Sequence, residues 1–192
     1  MEKHLGRGDR LSGRKSARLK LNTARPKYLD ELIFNPDKGM LSAPNGNDIV
    51  VINRQTLGTV FEGMREMLQS SSDLIWYNAG EHAGEAEGGR LKKAMTRMGP
   101  DGFLHLMTDL YTNLGWGKTT FHGLDLDARS VIILTRCNPL TREVTSSRPV
   151  CHYIKGFYKG FCTVVFQSSR VAVEETSCEA MGAEQCEFRI KW

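Results

Sequence analysis

The residues of this chain with most chemistry in reach are its five cysteines, Cys137, Cys151, Cys162, Cys178 and Cys186, four of them within the last 42 residues. Cys178 and Cys186 flank a turn at Met181-Gly182-Ala183, which puts two sulfurs at the facing ends of a hairpin. Glu175 stands three residues before Cys178, and Cys151 stands at the start of a helical segment, where a helix N-terminus favours a thiolate. Three thiolates and a carboxylate can fill the tetrahedral shell of a zinc ion. The chain has no Cys-x-x-Cys knuckle there, so spacing leaves two other readings open: buried free thiols, and a hairpin disulfide between Cys178 and Cys186. Cys162 follows Cys151 by eleven residues, about three helical turns, too far to share a site. Cys137 reads as core.

Other chemistry is excluded by context. Gly117-Lys118-Thr119 ends like a phosphate loop, but Thr112 occupies the place of the required first glycine, and a helix precedes it where a strand should. There is no Gly-x-Gly-x-x-Gly fingerprint after a strand and no Gly-x-Ser-x-Gly elbow. His82 and His105 are lone helix histidines beside carboxylates, which reads as ordinary surface or core. A binding protein is therefore expected, not an enzyme.

Those residues need elements to hold them. Leu32-Ile33-Phe34 and Ile49-Val50-Val51-Ile52 read as strands, with turn chemistry at Asn35–Gly39 and Pro44–Asn47. Leu57, Val60, Phe61, Met64, Met67 and Leu68 repeat with helical period. Ser72-Asp73 caps a second helix, from about Leu74 to Met95, and Gly99-Pro100 opens a third that Gly115 stops. Lys118–His122 and Arg129–Cys137 are strand-like. Ser147 and Pro149 open a fourth helix that turns Val150, Ile154, Phe157, Phe161 and Val165 inward. Arg170–Thr176 and Cys186–Trp192 are the last strands, and alternation puts Cys186, Phe188, Ile190 and Trp192 on one face. The second and fourth helices share the pattern Tyr-x-x-Gly-x-x-x-Gly, at Tyr77, Gly80, Gly84 and at Tyr153, Gly156, Gly160. Helical glycine costs about 1 kcal/mol against alanine, so these pairs imply close helix packing.

The chain has 192 residues and a net charge of +4, unevenly spread. Residues 1–28 carry nine Lys and Arg against Glu2 and Asp9, a net +7, which leaves −3 for the remainder. The expectation is a flexible basic arm, 1–28, attached to one domain, 29–192. The arm could contact a protein partner or an anionic polymer such as nucleic acid. No apolar run approaches a membrane span, no secretory leader is evident, and the odd cysteine count suits a reducing, cytoplasmic setting.

From Pro149 to Ile190 the sequence resembles the C-terminal part of the 4-vinyl reductase domain family. The residues that carry the likeness are Cys151, Gly156-x-x-x-Gly160, Glu175-x-x-Cys178, Gly182 and Cys186-Glu187-Phe188. That family includes hydrocarbon-binding proteins, an accessory protein of bacteriochlorophyll synthesis and sensor domains of phenol-responsive activators. It is similar to vesicle-tethering subunits that enclose an acyl chain. The resemblance implies an α+β fold, an antiparallel sheet packed with about four helices, often as a homodimer around an apolar cavity. It implies a structural zinc held by Cys151, Glu175, Cys178 and Cys186, with His152 and Glu174 as one-residue alternatives. Glu175 and Cys178 would lie on opposite strand faces, so a bulge or strand end must separate them. Trp76, Phe157, Tyr158 and Phe161 are the candidate lining for a small hydrophobic or aromatic ligand. The function expected is a small-molecule binding or sensor protein acting through a partner. The alternatives are an accessory role in tetrapyrrole vinyl reduction and a regulator that touches nucleic acid through the arm.

Overall fold

The structure is a computed structural model that describes residues 30–43, 47–142 and 144–192, without the side chains of Lys93 and Ala94. The expected basic arm, 1–28, lies outside the described residues. Three short strands, β1 (Ile33–Asn35), β2 (Met40–Ser42) and β3 (Asp48–Ile49), form a small antiparallel sheet. Helix α1 (Arg54–Leu68) follows, started by the Asn53 side chain, which accepts the Gln55 backbone N–H at 2.8 Å. Helix α2 (Ser71–Asn113) is broken at Gly99, whose φ of 74° no helix tolerates, directly before Pro100. Its two arms, 71–98 and 100–113, are the second and third helices expected from the sequence. Strands β4 (Lys118–Asp125) and β5 (Ser130–Arg136), helix α3 (His152–Val165), and strands β6 (Ala172–Ser177) and β7 (Cys186–Lys191) complete the chain. The fold is α+β, a single domain in which four helical segments accompany antiparallel sheets.

The four-stranded sheet has the order β4-β5-β7-β6. Its alternation sets the core. Val131 and Ile133 of β5, Val173 of β6, and Phe188 and Ile190 of β7 face inward and are buried. Helix α3 covers that face with Ile154, Phe157, Tyr158, Phe161 and Val165, all buried. Phe103 and Phe161 stack at 5.4 Å, tying the second arm of α2 to α3. Trp192 instead stacks on Phe166 at 3.7 Å, at the rim.

The glycine pairs fit each other. A Cβ on Gly80 would stand 2.0 Å from the Tyr153 carbonyl oxygen, and one on Gly84 2.1 Å from that of Phe157. Reciprocally, a Cβ on Gly156 would meet the Tyr77 oxygen at 1.9 Å, and one on Gly160 the Glu81 oxygen at 1.9 Å. The contacts advance by four residues in both helices together, so the first arm of α2 and α3 run parallel, backbone against backbone.

Three expectations change. Strand β3 ends at Ile49, and Val50 and Val51 are 90% and 78% exposed, because β2 offers no partner beyond Leu41. The apolar stripe of α1 is covered only at Phe61, which stacks on Trp76 at 3.8 Å; Val60 and Met67 face solvent. Cys137 is not core. The chain turns there at φ 56°, immediately after β5, and carries the thiol outward.

Candidate functional site

The ends of three elements converge on the cysteine cluster. Cys151 is the residue before the first turn of α3, Cys186 opens β7, and Cys178 follows β6. A register shift between Glu175 and Ser177 supplies the irregularity that lets Glu175 and Cys178 point the same way. The sulfurs of Cys151, Cys178 and Cys186 and a carboxylate oxygen of Glu175 all lie within 4.8 Å of one another. Cys151 Sγ is 3.6 Å from Cys186 Sγ and 4.0 Å from Cys178 Sγ. A tetrahedral zinc with Zn–S bonds of about 2.3 Å needs sulfur–sulfur edges of about 3.8 Å. All five cysteines are free.

The neighbouring alternatives point elsewhere. Glu174 faces outward on β6. His152 turns to Asp73, with Nε2 3.4 Å from Oδ1, in a group completed by Arg148 at 2.6 Å from Oδ2. Burial pulls the His152 imidazole below its ordinary range, against the opposing pull of Asp73.

The donor set fits a cation. Glu175 Oε2 accepts the Cys151 N–H at 3.2 Å, while Oε1 is buried with no hydrogen-bond partner. Burial pushes the Glu175 carboxyl up to about 8. Hydrogen bonds with Cys178 and Cys186, together with burial, hold the Cys151 thiol well above its usual range, and the same contacts pull Cys178 the other way. Four acidic groups in contact cannot all ionise unaided, and a divalent cation resolves that conflict. These four side chains could hold a metal ion.

Two residues around the cluster carried no signal in the sequence. Buried Asn138 donates from Nδ2 to Cys151 Sγ at 3.2 Å and lies 3.8 Å from Cys186 Sγ. Its Oδ1 accepts the Leu140 N–H at 2.9 Å, which fixes the amide orientation. Glu179 accepts the N–H groups of Cys137 and Asn138 at 2.7 and 3.0 Å and the Thr141 hydroxyl at 2.7 Å. It holds the 137–141 loop, and its own N–H donates to Cys186 Sγ at 3.4 Å. Asn138 before a proline reads as a turn, and Glu179 as a surface acid; only their meeting across the hairpin shows the role.

Beside the cluster lies a cavity of about 210 Å³. Phe157 and Tyr158 line it, with Ile154, Tyr153, Tyr111 and Trp116; the rest of the wall includes Ala83, Thr119, Thr135 and the pair Glu87–Arg90. Trp76 and Phe161 of the expected lining lie elsewhere. Trp76 is drawn to Phe61 on α1, and Phe161 packs into the core against Phe103 and Phe157. The Thr119 and Thr135 hydroxyls are 3.4 Å apart, and burial holds the Tyr158 phenol well above its ordinary pKa, so these are neutral groups in an otherwise apolar space. An apolar cavity of about 150 Å³ is enough to bind benzene.

Cluster and cavity share their supports. Ile154 and Tyr158 project from the helix that Cys151 begins, and Thr135 pairs with Cys186 across the sheet. No described helix is long and apolar enough to cross a membrane.

A family model for the 4-vinyl reductase domain matches residues 131–192. No curated protein matches the chain in sequence. Among solved structures, the fold is similar to the phenol-responsive sensory domain of the transcription activator PoxR with phenol. The TM-score is 0.72 at 16% identity, covering 86% of each chain. It is also similar to trafficking protein particle complex subunit 3 from Naegleria fowleri, covalently bound to palmitic acid, with TM-score 0.52, 18% identity, and 72% of this chain covered against 91% of that one. A vinyl-4-reductase family protein from Methanocaldococcus jannaschii aligns at TM-score 0.49 and 16% identity, over 74% of this chain and 83% of that one. At these identities the likeness is one of fold. The segment that carries Cys151, Glu175, Cys178 and Cys186 matches the 4-vinyl reductase domain, the family that the sequence resembles.

Proposed function

We propose that this chain is a sensor-type ligand-binding domain that holds one small aromatic or apolar molecule and contains a structural zinc. The observation that carries the reading is the shared wall. The helix and strand that supply Cys151 and Cys186 also supply Ile154, Tyr158 and Thr135 to the cavity. A metal bound by Cys151, Glu175, Cys178 and Cys186 would pin the N-terminus of α3 to β6 and β7 and so fix the cavity's shape. All four protein positions are filled, which suits a structural ion. Aromatic edges and faces of Phe157, Tyr158 and Tyr111 provide dispersion contact, and the Thr119–Thr135 hydroxyls supply a polar end. The fold shared with a domain described with phenol supports a one-ring ligand.

A cavity of about 210 Å³ is far smaller than a tetrapyrrole needs, which weighs against the vinyl-reduction alternative. The ligand signal would pass to a partner, with the arm 1–28 as a candidate contact and a homodimer as the working assembly. Two measurements test the reading: the metal content of tag-free protein, and saturation-transfer NMR with phenol, toluene and cyclohexanol. One zinc per chain, with saturation transfer from phenol, is expected. Metal-free protein that takes up none of the three overturns it.

A further inference from the structure

Three residues of the cavity wall also line a second hollow. Glu87, Arg90 and Tyr111 bound the 210 Å³ cavity, and the same three bound an adjoining groove of about 390 Å³. The remaining walls have no residue in common. On the groove side they include Leu91, Leu110, Leu114 and Ile49. The break at Gly99 turns the second arm of α2 so that Tyr111 meets the first arm at Glu87 and Arg90. Tyr111 is fixed from both sides. Its ring meets Phe157 edge to face at 5.1 Å, and Glu87 beside it is held by Arg90, whose Nε donates to Oε2 at 2.9 Å.

This inference rests on the ligand-binding reading above. We propose that Tyr111, braced by Glu87 and Arg90, is the partition between the two hollows and restricts the ligand to a single ring. Removing its ring joins the apolar cavity to a groove that is itself walled by leucines, and the joined space takes a two-ring ligand. Burial keeps the Tyr111 phenol neutral, so no charge is lost with it. The size limit is steric: it lies in one side chain, and the groove behind it is already formed.

The test uses calorimetric titration of the full chain with phenol and with 4-phenylphenol. Wild type should bind phenol and reject 4-phenylphenol. Tyr111→Ala should bind 4-phenylphenol at least about tenfold more tightly than wild type does, and Tyr111→Phe should keep the rejection, since its ring remains. If Tyr111→Ala does not fold, judged by its thermal transition, Tyr111→Leu replaces it. Phenol binding retained by every variant without any gain for 4-phenylphenol overturns the partition alone, as does wild type binding both compounds equally. Wild type that binds neither overturns the ligand-binding reading and the partition with it.

Discussion

The carboxylate of Glu175 accepts the backbone N–H of Cys151 at 3.2 Å, so a strand residue is tied to the start of a helix 24 positions earlier in the chain. The second oxygen of the same carboxylate is buried and unpartnered, aimed among three sulfurs. Glu175→Gln keeps the acceptor for Cys151 and removes the charge that a cation needs. We expect it to weaken zinc binding by more than the roughly 10–100-fold seen for residues that only orient ligands. Glu174→Gln, on the outward face, should leave binding unchanged. Competition with a chromophoric chelator reads both; equal affinity in the two variants would remove Glu175 from the set.

Asn138 contributes no ligand atom, yet its amide donates to Cys151 Sγ. Asn138→Ala should lower zinc affinity by about 10–100-fold while the metal stoichiometry at saturation stays at one. Loss of stoichiometry, or no effect, would contradict the role given to the amide.

The helix crossing makes a stability prediction that does not depend on any ligand. Gly156→Ala would force a Cβ to 1.9 Å from the Tyr77 carbonyl oxygen. Neither backbone can yield cheaply, and the cost should reach about 3 kcal/mol or more, at the upper end for overpacked cores. Gly89 lies in the first arm of α2, and a methyl added there meets nothing within 4 Å, so Gly89→Ala should gain about 0.5–1 kcal/mol from helix propensity. Urea denaturation of the two variants distinguishes a packing requirement from a general dislike of substitution in these helices.

Filling the cavity should separate binding from folding. Ala83 lines it from the first arm of α2. Ala83→Phe places a ring where the ligand's would sit, and should abolish phenol binding while changing stability by less than about 2 kcal/mol. Calorimetry and thermal denaturation on the same sample check the two halves of that statement.

Much of the cluster was legible because cysteine is scarce and its positions fall at element ends, where side chains from distant segments converge. The break at Gly99-Pro100 and the facing glycine pairs were legible for a similar reason: each is a backbone requirement that few residues meet. The cavity lining was less so. Helical period tells which side of a helix is apolar, but Trp76, Phe157 and Phe161 satisfy that pattern alike. Only the crossing of α2 and α3 decides that Phe157 reaches the cavity while Phe161 is taken by Phe103. Tyr111, Trp116 and Tyr153 were missed for the same reason. Periodicity likewise suggested inward faces at Val60 and Met67 that no other described element covers.

The central claim is that one metal-braced cavity binds one small aromatic molecule. Its most direct test is calorimetric titration of the full chain with phenol, before and after zinc is removed by a chelator and the protein is dialysed. The account predicts saturation at one phenol per chain in the zinc-loaded protein and weakened or lost binding after chelation, restored by adding zinc. A flat titration of the zinc-loaded protein would contradict it, as would phenol binding that is indifferent to the metal.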